Sequence, residues 1–231
     1  DSDDVVSSQG VFAARFTGNV RGRPDDKGTP EADPVFNVGG VNVRRVAPRN
    51  TPSVINAVFN RVNFWDGRAH ELFNGVTSLG PLDATATILI DQRGTLVRQA
   101  VQIDHASLAS QAVGPPGSDL EMAFRNRPFP ALGRKLLGLH PLGLQLVHPR
   151  DSILGALSRA RLVGGQASGK PGLTLGYADL IKRAFKRQYW SSSKKADGYS
   201  QMEGNFSLFF GLAIQLYEST LVADDAPFDE F

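Results

Sequence analysis

The residues best able to do chemistry in this chain are few, and most have a structural use close at hand. Four histidines, His70, His105, His140 and His148, could bind a metal or move a proton, yet no two have the spacing that puts ligands on one helical face. Cysteine is absent, which removes disulfides, thiolate metal sites and thiol nucleophiles together. Trp65-Asp66-Gly67-Arg68 joins a large indole to an acid and a base placed to hold a turn by a local ion pair. Taken alone, Trp65 reads as an apolar core anchor whose N–H finds a neighbour. Glu121 ends Ser118-Asp119-Leu120-Glu121, which has the form of a capping box, so Ser118 is expected to begin a helix. Asn50 precedes Thr51-Pro52 and reads as a helix cap. Gln111, on sequence grounds, is an ordinary helix residue.

The elements expected to position these residues are mainly α-helical with long ordered loops, in one domain or domain segment over 1–231. Residues 1–50 form a loop-rich lead-in, and 17–50, full of Gly, Pro, Asn, Asp and Arg, read as a surface-hugging loop. Thr51-Pro52 with Val54, Ile55, Val58, Phe59 and Val62 at helical spacing predicts a short amphipathic helix. Leu96, Val97, Ala100, Ile103 and Leu108 predict a second over about 92–113, ended by Gly114-Pro115-Pro116-Gly117. Others are expected around 130–138, after Asp151 and over about 175–190, with a flexible loop from Gly164 to Gly172. From Phe206 through Phe209, Phe210, Ala213, Leu216, Tyr217 and Leu221 the apolar residues recur every three or four positions. That stripe predicts a helix buried along one face.

Hydrophobic residues make up 41% of the 231 and charged residues 21%, a balance that supports a packed core. The formal charge of +2 is too small to call for nucleic acid. No apolar run approaches the roughly 20 residues that span a bilayer. The chain opens on Asp1-Ser2-Asp3-Asp4 without an initiating Met, as an internal or processed segment would.

Three segments, read in order, resemble the di-haem cytochrome c peroxidase and MauG-type family. The first is Arg49-Asn50-Thr51-Pro52-Ser53-Val54-Ile55-Asn56-Ala57 followed by Asn63-Phe64-Trp65-Asp66-Gly67-Arg68-Ala69. The second is Ser107 to Pro115 leading to Leu120-Glu121-Met122. The third is Phe206 to Val222 closing on Pro227-Phe228-Asp229. The resemblance covers roughly 45–231, with about 70–104 as an insertion relative to the short peroxidases. Insertion length and the wording of the last helix are most similar to the larger branch that includes the di-haem rubber oxygenases.

The resemblance implies a segment lying between two haem-attachment motifs, neither present here because Cys-x-x-Cys-His is absent. It implies haem c as cofactor, an oxidoreductase activity in peroxide reduction or haem-based oxidation, and a periplasmic or secreted location. The partner would be the haem-bearing remainder of the same protein, or a companion chain, with iron-centred electron transfer between them. Trp65 resembles the family's tryptophan between the haems, where an oxidisable indole relays an electron, and Phe64 lies beside it at the cofactor. Glu121 resembles the distal acid and Gln111 its accompanying glutamine, while Asn50 resembles a side-chain ligand to calcium. Many family peroxidases carry a distal His shortly before Arg-Asn-Thr-Pro; residues 1–49 contain none, which implies a distal position that is open or occupied by something else. A haem-free scaffold or assembly module is the alternative. Either way Trp65 and Glu121, 56 positions apart, are expected to converge on one cavity suited to a planar ligand.

Overall fold

Turn chemistry dictates more of this fold than apolar periodicity does. The structure, a computed structural model, describes residues 9–47 and 51–225. In order these form β1 (Ala14–Asn19), β2 (Asp26–Pro30), β3 (Asn37–Val38), β4 (Val41–Asn42), β5 (Ile88–Gln92), β6 (Thr95–Gln99), α1 (Ser107–Ala112), α2 (Phe129–Leu136), β7 (Ser158–Val163), β8 (Gln166–Leu173), α3 (Tyr177–Ala184), β9 (Lys195–Ala196), β10 (Tyr199–Ser200), α4 (Gln201–Gly204) and α5 (Phe206–Glu218). Consecutive strands pair antiparallel into five separate two-stranded ribbons. Four ribbons close through two residues ending in glycine: Gly39-Gly40, Arg93-Gly94, Gly164-Gly165 and Asp197-Gly198. Both residues of each loop have positive φ, the turn geometry that matches strand twist and that glycine adopts without strain.

The expectation of a mainly α fold is therefore wrong, since helix at 25% is nearly matched by strand at 23%. The region 17–50 carries two ribbons, and 164–172 is a hairpin turn running into β8 rather than a flexible loop. Only Ser107–Ala112 of the expected 92–113 helix is helical, because the Arg93-Gly94 turn folds Thr95–Gln99 back onto Ile88–Gln92. The 51–62 helix reduces to a 3₁₀ turn over Ala57–Phe59. There Asn56 has a φ of 61°, donates its N–H to Leu221 O at 2.9 Å, and accepts the Ala223 N–H at 2.7 Å. Pairing with the segment after α5 thus overrides local helix propensity. After Asp151 the helix is likewise one 3₁₀ turn, Gly155–Leu157, before β7. Expectations near 130–138 and 175–190 correspond to α2 and α3, the latter shorter than foreseen.

The core gathers Phe73, Ile88, Ile90, Ala109, Val113, Leu132, Ile181, Phe206, Leu208 and Phe209. Helix α5 crosses α1 closely: a Cβ on Gly211 would lie 3.0 Å from both Ala109 O and the Phe73 ring. Along the expected stripe, Phe206 and Phe209 are buried, whereas Leu216 is 69% and Tyr217 64% exposed, and Ala213 is exposed too. The stripe is thus buried over its first two turns only.

Much of this core is loop, so its backbone polar groups need side-chain partners. Asn205, 1% exposed, accepts the Leu89 N–H at 2.7 Å and donates to Leu89 O at 2.7 Å and Tyr189 O at 2.8 Å. Gln201, fully buried, donates to Leu89 O at 3.0 Å and Gln188 O at 2.6 Å and accepts the Ser192 N–H at 2.8 Å. Ser207 Oγ donates to Gly75 O at 2.7 Å. Replacing Asn205 by Ala orphans buried backbone groups on β5 and the Tyr189 turn, each worth about 1–3 kcal/mol. Urea unfolding of Asn205→Ala is expected to show a loss of about 2–4 kcal/mol, and a loss below about 0.5 kcal/mol would contradict this role.

Candidate functional site

Two irregular segments, 60–69 and 118–122, are brought to one place by α1 and by the chain before β1. The serines of α1 hold the first. Ser107 Oγ donates to Asn60 O at 2.8 Å and accepts from Asn63 Nδ2 at 3.0 Å, while Ser110 Oγ donates to His70 O at 2.7 Å. Helix α1 is in turn clamped by Gln215 of α5, which accepts the Ala109 N–H at 2.9 Å and donates to His105 O at 2.8 Å.

Between these anchors Asn63 and Ala69 exchange backbone hydrogen bonds at 3.0 and 3.2 Å. The intervening chain bulges outward, with Phe64 at a φ of 61° and Gly67 at 69°. Arg68 binds both Asp66 oxygens, at 3.0 and 2.9 Å, and lies 4.0 Å over the Phe64 ring. The ion pair read from sequence is thus present, and it braces the loop. Trp65, however, is 78% exposed and is no core anchor.

The segment bearing Glu121 is a single turn and not the helix expected from Ser118. Ser118 O accepts from the N–H groups of Glu121, Met122 and Ala123 at 3.2, 3.1 and 2.9 Å. The chain then leaves to pair with β1, Arg125 N–H donating to Ala14 O at 2.9 Å, and Asn126 has a φ of 65°. That pairing stops the helix, and the capping box fails with it. A capping box does form at Ser200-Gln201-Met202-Glu203, where Ser200 N–H donates to Glu203 Oε2 at 2.6 Å and Glu203 N–H to Ser200 Oγ at 3.3 Å. Gly10 packs directly on the Glu121 turn: a Cβ there would lie 1.6 Å from Leu120 O, so no other residue fits without moving it. Arg45 ties the turn down, donating to Asp119 O at 3.0 Å, to Asp119 Oδ2 at 3.2 Å and to Asp33 Oδ2 at 2.7 Å.

The outcome is a cleft of about 520 Å³ lined by Phe64, Trp65, Gln111 and Glu121 together with Val62, Arg68, Pro115 and Met122. Trp65 and Glu121 therefore converge on one cavity, as the sequence reading expected. Its size falls in the roughly 300–1,000 Å³ range of small-molecule and cofactor sites. By exposed area the walls are chiefly apolar, although Gln9, Thr51, Asn60, Asn63 and Arg68 line them alongside Gln111 and Glu121. Gln111 Oε1 is buried and has no hydrogen-bond partner among the described residues, an acceptor waiting for a donor. Glu121 is partly buried.

None of the four histidines lines this cleft. His70 Nδ1 accepts the Leu72 N–H at 2.9 Å, His148 Nδ1 accepts the Arg150 N–H at 3.2 Å, and His105 lies 3.6 Å from Asp104 on the surface. Asn50, the expected calcium ligand, lies outside the described residues. Among the described residues no group of three or more His, Asp and Glu gathers to hold a metal, and no helix is long and apolar enough to cross a membrane. Sequence reasoning missed Gly10, Asp33 and Arg45, whose roles arise from contacts as far apart as Arg45 and Asp119.

The anchor beneath the turn is pH-sensitive at its acidic end. The N–H of Phe36, then Arg45 and the N–H of Val35, hold the Asp33 carboxyl at about 2, below its ordinary 3.8. A depressed carboxyl stabilises the fold above its unfolded value, and that contribution is lost as pH falls through the folded one. The difference in melting temperature between the parent and Asp33→Asn is expected to be constant above about pH 5 and to shrink as pH falls below the ordinary value of 3.8 toward 2. A pH-independent difference would rule this anchor out.

Two comparisons with known proteins give a match. Residues 23–136 match the family described as di-haem cytochrome c peroxidase. A stretch of 35 residues is 57% identical to cytochrome c551 peroxidase of Pseudomonas aeruginosa, covering 15% of this chain and 10% of that protein. No solved structure matches the chain significantly. Every residue lining the cleft apart from Gln9 lies within residues 23–136, the stretch that resembles the di-haem cytochrome c peroxidase family.

Proposed function

We propose that this chain supplies the distal wall of one haem pocket, and the aromatic path leading away from it, in a periplasmic di-haem peroxidase. The observation that carries the reading is the meeting of Glu121, Gln111 and Trp65 in one cleft, within the stretch that matches the family. The chain has no cysteine, so any covalent haem linkage is made by residues outside it.

The residues present fit a haem face. Phe64, Trp65, Pro115 and Met122 offer apolar surface, and the orphaned Gln111 oxygen and the Glu121 side chain are among the polar groups beside it. When bound, haem supplies the iron at which the O–O bond of hydrogen peroxide is reduced. Glu121 takes a proton from the incoming peroxide and returns it to the departing oxygen, so that water leaves rather than hydroxide. Gln111 Oε1 accepts a hydrogen bond from the peroxide O–H, which orients the substrate and satisfies the buried acceptor. Trp65, exposed on the cleft wall, would carry electrons between the pocket and a second haem, two electrons and two protons being needed to take hydrogen peroxide to two waters.

Positioned acid–base groups contribute about 10²–10⁴-fold. In the haem-loaded protein, Glu121→Gln is expected to slow peroxide turnover by at least about 10²-fold with the Soret spectrum nearly unchanged. Unchanged turnover would remove Glu121 from the chemistry. A purified full-length protein with no Soret band would leave a haem-free scaffold in place of an enzyme.

A further inference from the structure

The Glu121 turn rests on a second arginine, buried far more deeply than Arg45. The Arg127 side chain is 4% exposed. Its Nη2 donates to Pro116 O at 2.6 Å and to Met122 O at 3.2 Å, and its Nη1 donates to Asp26 Oδ2 at 2.5 Å. Asp26, 7% exposed, also meets Lys135 Nζ of α2 at 3.0 Å and accepts from Asn19 Nδ2 at 3.1 Å. Two buried cations thus share one carboxylate, and Arg127 Nε has no partner among the described residues.

Such a cluster is a poor way to fill space. Desolvating an ion pair costs about as much as the attraction returns, and a second cation adds cost without a matching anion. An apolar side chain of similar volume would avoid both. What only the guanidinium does is reach, in fixed directions, a carboxylate on β2 and the carbonyls at Pro116 and Met122. Those carbonyls bracket the segment that carries Glu121, and Pro115, Glu121 and Met122 all line the cleft.

We infer that Arg127 is a positioning residue: it locks the 116–122 segment to β2 and α2, and so sets where the Glu121 carboxylate stands. The inference rests on the reading of Glu121 as the proton-transferring acid, but its structural half stands apart from that reading. Arg127→Lys keeps a cation for Asp26 while replacing the fork by a single ammonium that cannot serve all three acceptors at their present geometry.

The first arm is hydrogen exchange on the chain itself. In Arg127→Lys the amides of Glu121, Met122 and Ala123 exchange at least tenfold faster, while those of Leu89 and Phe209 in the core are unchanged. Equal changes in turn and core, or none in the turn, would overturn the inference. Should Arg127→Lys fail to fold, the Lys135→Met/Arg127→Lys variant, which sheds the excess cation, is compared with Lys135→Met alone in the same way. The second arm uses the haem-loaded protein. Arg127→Lys lowers kcat for peroxide at least tenfold in the parent and has no further effect in a Glu121→Gln background. Additive losses would show Arg127 acting independently of Glu121 and contradict positioning. If Glu121→Gln alone leaves turnover intact, the proposed function fails, whereas the exchange result still decides whether Arg127 holds the turn.

Discussion

Irregular chain packed inside a protein leaves backbone N–H and C=O groups without ladder or helix partners, and every one of them must be answered. In this fold the answer comes from amide and hydroxyl side chains on α1, α4 and α5 and at the α4–α5 junction. Asn205 and Gln201 serve both backbone groups of Leu89 together with carbonyls at Gln188 and Tyr189. Ser207 serves Gly75, Gln215 serves α1, and Ser107 and Ser110 serve the loop that carries Trp65. Each bond is worth only about 0.5–1.5 kcal/mol net, but each one left unmade costs more. The set therefore specifies a single arrangement of loops as much as it stabilises one.

The cleft inherits its geometry from that arrangement. Helix α5 fixes α1, α1 fixes the 60–69 loop, and the loop projects Phe64 and Trp65 into the space that Gln111 faces from α1. The opposite wall is fixed separately, by Gly10 packed against Leu120, by Arg45 bound to Asp33 and Asp119, and by Arg127 on the carbonyls of Pro116 and Met122. Neither wall is a regular element. A site built on loops is as accurate as the bonds beneath them, and here those bonds are charge-assisted or buried.

The parts legible in sequence were those whose signal is local. The Phe206 stripe marks α5, Ser107–Ala112 falls inside an expected helix, and the four glycine-ended dipeptides were present as hairpin signals. None of the four is read as a hairpin from sequence: Gly39-Gly40 and Gly164-Gly165 fall in expected loops, and apolar spacing makes 92–113 one expected helix where Arg93-Gly94 turns the chain between two strands. Ser118-Glu121 and Ser200-Glu203 have the same capping pattern, yet only the second begins a helix, because pairing of Arg125 with β1 ends the first after one turn. Tertiary contacts of this kind leave no local trace. Nor do Asn205 and Leu89, separated by 116 positions, or the half of α5 whose apolar residues stay exposed. Trp65, Gln111 and Glu121 were found only through the family resemblance, since each has an unremarkable local reading.

The central proposal is that the cleft is one wall of a haem pocket, in which Glu121 would move the proton and Trp65 would carry electrons. The most direct measurement is a crystal structure of the haem-loaded protein with its haem-bearing segments present. The account predicts the Trp65 indole within about 4 Å of haem-edge or propionate atoms, with the Glu121 carboxylate and Gln111 amide facing one iron across the substrate space. A structure in which both haems lie elsewhere, with Trp65 and Glu121 still lining an open cleft filled by solvent, would contradict it.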